Sequence, residues 1–160
     1  MKRIAINGMG RTGRGMLRHY LTQDSDDYEI VAVNDLTAID DVAYLLSYDS
    51  VHGKLPEPVE VDGDQLQYGS HTVRKYGIAS PRELPWADEH IDVVIDSTGA
   101  FTERADAAMH LTAGAHRVLI GAPSPDADFD LVFGVNEGDF DPGSHHVVSN
   151  ASCTTNSLAP

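Results

Sequence analysis

The sequence contains a single cysteine, Cys153, among its 160 residues. One thiol can form neither an internal disulfide framework nor a thiolate-rich metal site, so we predict no metal site. No apolar run approaches the roughly 18 residues that a membrane helix needs. The first residues, Met1-Lys2-Arg3, lead directly into the apolar Ile4-Ala5-Ile6 and lack the profile of a signal peptide. These features predict a cytoplasmic protein that does not engage a membrane.

Positive charge is also scarce. Eleven Lys and Arg residues face 25 Asp and Glu residues, which gives a formal net charge of -14. Nucleic-acid binding depends on clustered Lys and Arg that neutralise phosphates, so we expect no nucleic-acid partner. A high-salt cytoplasm would screen the self-repulsion of so many carboxylates. We therefore hypothesise that the acidity is an adaptation to high salt.

Apolar segments of two periodicities alternate along the chain, which is long enough for one ordinary domain. The turn segment Asp62-Gly63-Asp64, flanked by strand-like residues 59–61 and 65–68, predicts a hairpin. Short apolar runs predict strands at 3–7, 29–34, 71–75, 91–96, 117–120, 131–133 and 146–149, and helical spacing predicts helices at 13–21, 40–46 and 103–111. The alternation predicts an α/β fold with a doubly wound, mostly parallel sheet and a small hairpin insertion.

A glycine-rich turn joins the first predicted strand to the first predicted helix. Gly8-Met9-Gly10-Arg11-Thr12-Gly13 fits the pattern G-x-G-x-x-G in the strand-to-helix context that gives the pattern meaning. Gly8 would allow the tight turn, Gly10 the approach of a pyrophosphate, and Gly13 the packing of helix on strand. The helix N-terminus favours that pyrophosphate. The turn therefore predicts a dinucleotide site, and a purely structural loop is the alternative.

An acidic residue follows the second predicted strand. Asp35 lies about 20 residues after Gly13, where a carboxylate can accept hydrogen bonds from ribose hydroxyls and would repel a 2′-phosphate. This position favours NAD over NADP as the cofactor. The alternative is that Asp35 only caps the strand end.

The cysteine lies in a polar segment, residues 149–156, that follows the last predicted strand. The hydroxyl and amide side chains there favour a helix start. A helix N-terminus stabilises the nucleophilic thiolate, although free cysteine is also among the most buried residue types, so an inert buried thiol is the alternative. His145 and His146 are poor candidates for its base, because an extended chain places His146 roughly 20 Å away at about 3.3 Å per residue.

Five segments together resemble motifs of the phosphorylating glyceraldehyde-3-phosphate dehydrogenases, in the family's order and from end to end: residues 7–14, 34–35, 48–54, 97–101 and 149–156. The resemblance implies an NAD-binding Rossmann-type domain over residues 1–150. It also implies that residues 151–160 begin a catalytic domain, whose histidine base and most substrate ligands would lie beyond Pro160. We therefore expect the 160-residue piece to be inactive by itself.

The resemblance also implies an activity for the full-length enzyme. Cys153 would attack the aldehyde of glyceraldehyde 3-phosphate to give a thiohemiacetal, hydride would pass to NAD, and inorganic phosphate would release the thioester as 1,3-bisphosphoglycerate. Ser152 and Thr154 match positions that hold phosphate and substrate. The full-length enzyme would be a homotetramer.

Further cofactor contacts are carried over on the same basis. Arg11 and Thr12 would contact the pyrophosphate through their backbone, and Thr98, Gly99 and Phe101 would lie near the adenine. Three positions differ from the usual pattern: Thr12 replaces an aliphatic residue, Ala79 replaces an arginine, and Gly121 replaces a serine on the nicotinamide side. Backbone contacts would survive these differences, so the three positions stay in the expected cofactor site.

Two other functions stay open at this point. One is a related dehydrogenase of another phosphorylated aldehyde, such as erythrose 4-phosphate. The other is a stand-alone nucleotide-binding module in which Cys153 is a redox sensor, as accessible low-pKa thiols can be.

The salt hypothesis predicts the response of stability to KCl. We expect the melting temperature to rise from low salt to molar KCl, because screening weakens repulsion among the carboxylates. Thermal melts over a KCl series measure this. A melting temperature that does not rise would show that the acidity serves solubility alone.

Overall fold

A computed structural model describes residues 1–23 and 25–160. Within them, the α-helices and strands follow one another in this order: β1 (Lys2–Asn7), α1 (Arg11–Leu21), β2 (Tyr28–Asn34), α2 (Ile39–Ser47), β3 (Tyr48–Asp49), β4 (Gly53–Lys54), β5 (Glu60–Asp62), β6 (Gln65–Tyr68), β7 (His71–Tyr76), β8 (Val93–Asp96), α3 (Arg104–Ala107), α4 (Met109–Thr112), β9 (Arg117–Ile120), β10 (Phe129–Asp130), β11 (Val147–Ser149) and α5 (Cys153–Leu158). Short 3-10 helices span Pro81–Glu83 and Glu137–Asp139.

Nine of the strands form one sheet in the order β10-β11-β9-β8-β1-β2-β7-β6-β5. The strands from β10 to β7 pair in parallel, and β5, β6 and β7 pair in antiparallel fashion. β3 and β4 form a separate two-stranded ribbon. The chain thus has the doubly wound, mostly parallel sheet and the hairpin insertion that its sequence predicts.

The central strand β1 is buried on both faces, as parallel strands between two layers are. Successive side chains of a strand point to opposite faces. Ile6 packs on one face with Leu17 of α1, while Ala5 packs on the other with Trp86 and Val94. This two-layered core fixes the carboxyl ends of β1 and its neighbours at one edge of the sheet.

Two sequence-based predictions of elements differ from the structure. The strand predicted at 131–133 is wrong, since β10 ends at Asp130. The side chain of Asn136 explains the shift: its Oδ1 accepts the N–H of Val132 at 2.8 Å and its Nδ2 donates to the carbonyl of Asp130 at 2.9 Å. These bonds draw the chain into a turn directly after the strand.

The helix predicted at 103–111 is divided into α3 and α4. They meet at Ala108, whose ψ of -12° departs from regular helix. The carbonyl of Ala108 accepts the N–H of Leu111 at 3.0 Å, a tighter 3-10 type of bond. Among the residues that the structure describes, no helix combines the length and apolarity needed to cross a membrane.

Candidate functional site

A cleft of about 420 Å³ opens at the carboxyl ends of β1, β2 and β8. The strand order reverses here, because β2 lies on one side of β1 and β8 on the other. Open α/β sheets bind their ligands at such a switch point. Six residues predicted from the sequence line it together: Gly8, Gly10, Asp35, Ala79, Thr98 and Phe101.

The three glycines of the turn have different surroundings. Gly8 has a φ of +94°, and a Cβ there would lie 2.8 Å from the backbone nitrogen of Thr98. A Cβ at Gly13 would overlap the carbonyl oxygen of Gly8. A Cβ at Gly10, by contrast, would meet no protein atom within 4 Å. Gly8 and Gly13 are therefore required by the fold, whereas Gly10 keeps open a surface on which a ligand can rest.

The start of α1 lies at the same turn. Its first helical residues, Arg11 and Thr12, are exposed, and no side chain caps the helix at Gly10. The first N–H groups of a helix have no intrahelical partner and carry a partial positive charge. An exposed, uncapped helix start beside an open glycine fits a dinucleotide pyrophosphate.

Asp35 follows β2 and lines the cleft. Its Oδ2 accepts the N–H of Met9 at 2.7 Å, and its Oδ1 accepts the N–H of Thr37 at 2.8 Å. Partial burial alone would raise the pKa of Asp35, but hydrogen bonds from Thr37 and Met9 and the charge on Lys75 hold it below its ordinary value. The carboxylate is therefore ionised and fixed in orientation, and its remaining lone pairs can accept hydrogen bonds from hydroxyl groups.

A buried carboxylate, Asp96, ends β8 beneath the cleft. Its Oδ1 accepts the N–H of Thr98 at 3.0 Å and the Thr98 hydroxyl at 2.6 Å, and its Oδ2 accepts the side-chain amide of Asn7 at 2.8 Å. Burial would raise the pKa of Asp96, yet hydrogen bonds from His110, Thr98 and Asn7 outweigh it and lower the pKa. The charged carboxylate thus fixes the loop after β8 that forms one wall of the cleft.

His110 reaches Asp96 from α4 and is fully buried. The indole N–H of Trp86 donates to His110 Nδ1 at 2.9 Å. Because an indole nitrogen can only donate, Nδ1 carries no proton and Nε2 carries it. Nε2 lies 3.1 Å from Asp96 Oδ2 and donates to it. The two hydrogen bonds therefore run in one direction: Trp86 donates to His110, and His110 donates to Asp96.

Sequence reasoning missed other polar residues of the cleft. Asn34 Nδ2 donates to Asn7 Oδ1 at 2.7 Å and to the carbonyl of Ile78 at 2.9 Å, and Asn34 Oδ1 accepts the Ile78 N–H at 2.9 Å. Ser97, Leu36 and Ala100 also line the cleft. The available signal was a polar residue at the end of an apolar strand, which Asn7 and Asn34 share.

Cys153 is the first residue of α5, so the predicted helix start is confirmed. Ser152 caps the helix, because its Oγ accepts the N–H of Thr155 at 2.9 Å, and it lies 2.9 Å from the hydroxyl of Thr154. The thiol is exposed, which excludes the inert buried cysteine in this chain. Residues 152–154 do not line the cleft, but follow β11 at the same edge of the sheet, where the Asn150 N–H donates to the carbonyl of Ile120 at 2.9 Å.

The remaining predicted residues lie beside the cleft and do not line it. Gly99, with a φ of +70°, lies in the loop after β8. Gly121 follows β9, and its N–H donates to the carbonyl of Asp96 at 2.8 Å. The ring of His145 stacks on Phe129 with centroids 4.8 Å apart, which suits the structural role expected of it. In the described part of the chain, no three His, Cys, Asp or Glu side chains are grouped as metal ligands.

Comparison with known proteins agrees with this geometry. Residues 2–104 match the family model described as glyceraldehyde 3-phosphate dehydrogenase, NAD binding domain. The chain is 50% identical over 158 residues to a glyceraldehyde-3-phosphate dehydrogenase of Priestia megaterium. The aligned region covers 99% of this chain and 47% of that protein. It is 49% identical to glyceraldehyde-3-phosphate dehydrogenase 1 of Bacillus subtilis and 48% to the Geobacillus stearothermophilus protein, with the same coverage. The chain spans about half the length of these curated relatives.

The buried hydrogen bonds predict a large effect of replacing His110. We expect His110→Leu to lower the free energy of unfolding by about 2–4 kcal/mol, because it removes a donor from the buried Asp96 carboxylate and leaves the indole N–H of Trp86 without an acceptor. Urea denaturation measures the loss. The control is His116→Leu, at a histidine whose side chain is 78% exposed, which should change stability by less than about 0.5 kcal/mol. Equal effects of the two substitutions would contradict the assigned network.

Proposed function

The chain belongs to the glyceraldehyde 3-phosphate dehydrogenase family and carries its NAD-binding domain, and from this premise we propose that it is the cofactor-binding half of a phosphorylating glyceraldehyde-3-phosphate dehydrogenase. NAD is its cofactor. The observation that carries the proposal is the cleft itself, which is lined both by the open Gly10, the N-cap residue of α1, and by the ionised Asp35. The proposed domain comprises residues 1–150, and residues 151–160 begin the catalytic domain.

Each part of the cleft suits one part of NAD. The pyrophosphate would rest on Gly8, Gly10 and Gly13 and accept hydrogen bonds from the backbone of Arg11 and Thr12. Asp35 would accept the hydroxyls of the adenosine ribose. The adenine would lie among Ala79, Thr98, Gly99 and Phe101, and Gly121 would approach the nicotinamide side. When bound, NAD supplies the hydride acceptor of the reaction.

The proposed substrates are glyceraldehyde 3-phosphate and inorganic phosphate, held by Ser152 and Thr154. The Cys153 thiolate attacks the aldehyde carbon, which forms a C–S bond and moves the carbonyl electron pair onto oxygen, where a proton gives a thiohemiacetal. Conversion of the thiohemiacetal to a thioester would require a base for its hydroxyl proton and a hydride acceptor, which bound NAD would supply. A phosphate oxygen attacks the thioester, and the C–S bond breaks to release 1,3-bisphosphoglycerate and the thiolate.

The base is assigned to the part of the relatives that this chain does not span. His145 precedes β11 and Cys153 follows it, so the two residues lie beyond opposite ends of this strand. The Nδ1 atom of His145 already accepts the N–H of Asp141 at 3.0 Å. His110 is fully buried and donates to Asp96. Neither histidine is therefore free to take the substrate proton.

The proposed protein is a cytoplasmic homotetramer in its full-length form, with no nucleic-acid or membrane partner. Large apolar side chains are exposed at Tyr44, Val51 and Phe133, the last two by 83% and 79%. We propose that subunit contacts in the full-length protein cover these side chains. Neither erythrose 4-phosphate nor a stand-alone redox module is favoured by a feature of this structure, and the curated relatives named above carry the glyceraldehyde 3-phosphate name.

The glycine turn predicts that NAD affinity and stability can be separated. We expect Gly10→Ala to weaken NAD binding by at least about tenfold, or 1.4 kcal/mol, because the methyl group occupies the surface for the pyrophosphate. The substitution should lower the free energy of unfolding by no more than about 1 kcal/mol. Ala is a poorer N-cap residue than Gly, but its methyl group meets no protein atom within 4 Å. Calorimetric titration with NAD and urea denaturation measure the two effects.

Gly15→Ala is the matched control. Gly15 lies within α1, and a Cβ there also meets no protein atom within 4 Å. The substitution should leave NAD affinity unchanged and stabilise the helix by about 0.5–1 kcal/mol. If Gly10→Ala bound NAD as tightly as Gly15→Ala, the cofactor would not rest on this turn.

The role of Cys153 predicts a loss of turnover without a loss of cofactor binding. In the full-length protein, Cys153→Ser should lower the rate of NADH formation by about a thousandfold or more, because a hydroxyl is a far weaker nucleophile than a thiolate. NAD affinity should stay within about twofold. Ser157→Ala, on the same helix, should keep full turnover. Substantial NADH formation by Cys153→Ser would overturn the assignment of the nucleophile.

A further inference from the structure

A second concave surface lies away from the cofactor cleft, along the side of α1. It encloses about 410 Å³ between this helix and the segment around β4. The helix contributes four residues at a spacing that places them on one face. The lining residues are Gly15, Arg18, His19 and Thr22 of α1, and His52, Lys54, Leu55 and Pro56 opposite them. We call this the α1 side pocket.

The α1 side pocket has the opposite charge character to the chain as a whole. Arg18, His19, His52 and Lys54 are four of its eight lining residues, and none of the eight is Asp or Glu. The chain as a whole has more than twice as many acidic as basic residues, 25 against 11. Cationic and protonatable groups are therefore concentrated at one place on an otherwise acidic surface.

Arg18 is the buried member of the group, with 8% of its surface exposed. Its Nη2 donates to the carbonyl of Gly53 at 2.9 Å, and its Nη1 donates to the carbonyl of Leu46. In residues 1–23 and 25–160, no carboxylate oxygen lies within ion-pair distance of its guanidinium. Two of its five N–H donors are thus used on neutral acceptors, and its charge lacks a direct counterion.

One carboxyl group whose pKa is lowered in part by the charge of Arg18 is Asp49, which does not line the pocket. Its Oδ1 accepts the backbone N–H groups of His52 and Val51, each at 2.8 Å. These bonds hold the pKa of Asp49 below its ordinary value, with smaller contributions from the charges of His52 and Arg18. Asp49 therefore stabilises the turn of its own loop, and it forms no ion pair with Arg18.

The helix dipole explains only part of this arrangement. Cations in the last turn of a helix are stabilised by its partial negative charge, and Arg18 and His19 lie in the last turn of α1. His52 and Lys54 belong to the facing segment and not to this helix. The ammonium group of Lys54 lies over the ring of Tyr48, 5.2 Å from its centroid, and within the described part of the chain no carboxylate lies within ion-pair distance of it.

We propose that the α1 side pocket binds an oxyanion of the phosphate class, either inorganic phosphate or a phosphate monoester. Arg18 and Lys54 supply the cationic donors, and His19 and His52 flank the anion. An arginine with unused donors and a lysine ammonium group without a carboxylate partner suit phosphate oxygens. Occupancy supplies the counterion that the buried guanidinium lacks, and this site is separate from the cofactor cleft and from Cys153.

The test follows the ring proton resonances of His19 and His52 by NMR during a titration with inorganic phosphate, at an ionic strength held constant with KCl. We expect saturable shifts of both resonances, with a Kd of about 1–10 mM. Lys54→Gln should weaken binding by at least about fivefold. Arg82→Gln removes the same charge from an exposed position outside the pocket and should leave the Kd unchanged.

The outcomes are distinct. Linear shifts without saturation, or equal Kd values for wild type and Lys54→Gln, would mean an adventitious ion only and would overturn the proposal. A parallel titration with glycerol 3-phosphate, against glycerol as the neutral control, separates the two sources. Tighter binding of the ester identifies a phosphorylated metabolite as the occupant, and equal or weaker binding identifies inorganic phosphate. NAD affinity is measured on the same samples, so failure of this site is distinguishable from failure of the cofactor cleft.

Discussion

The cleft depends on the burial of one charge, the carboxylate of Asp96. An ionised carboxylate is costly to bury unless it is fully hydrogen-bonded. Its donors come from β1 through Asn7, from the loop after β8 through Thr98, and from α4 through His110. These donors reach the carboxylate only when the three elements are packed together. The wall of the cofactor cleft is therefore set by the folding of the core and does not wait for the cofactor.

A second constraint, the close approach of α1 to β1, divides the glycine-rich turn into two kinds of position. Gly13 must lack a side chain because the carbonyl oxygen of Gly8 occupies that space, and Gly8 must accept a positive φ beside Thr98. Gly10 has no such demand from the protein. The pattern G-x-G-x-x-G thus combines two positions where the fold excludes a side chain with one, the helix N-cap Gly10, where the missing side chain leaves room for a ligand.

The sequence predicted the parts of this structure that depend on local patterns. The parallel strands, the hairpin and the helix start at Cys153 follow from periodicity, turn residues and capping side chains. The Trp86–His110–Asp96 chain was not predictable, because its members lie on separate elements and are brought together only by tertiary packing. The same holds for the displaced β10, where one side-chain amide of Asn136 competes with strand pairing.

The net charge of -14 raises the question of how such a chain attracts anions. Salt limits the range of surface charges to about 8–10 Å at physiological ionic strength, so groups at the site decide binding there. At the cleft those groups would be the neutral N–H donors at the start of α1, which suit the proposed pyrophosphate without adding a charged side chain. Asp35 can therefore lie nearby to accept ribose hydroxyls and still repel a 2′-phosphate. Farther along the same helix Arg18 carries a full charge, and Lys54 of β4 carries another on the opposite side of the α1 side pocket, which would suit the proposed small anion.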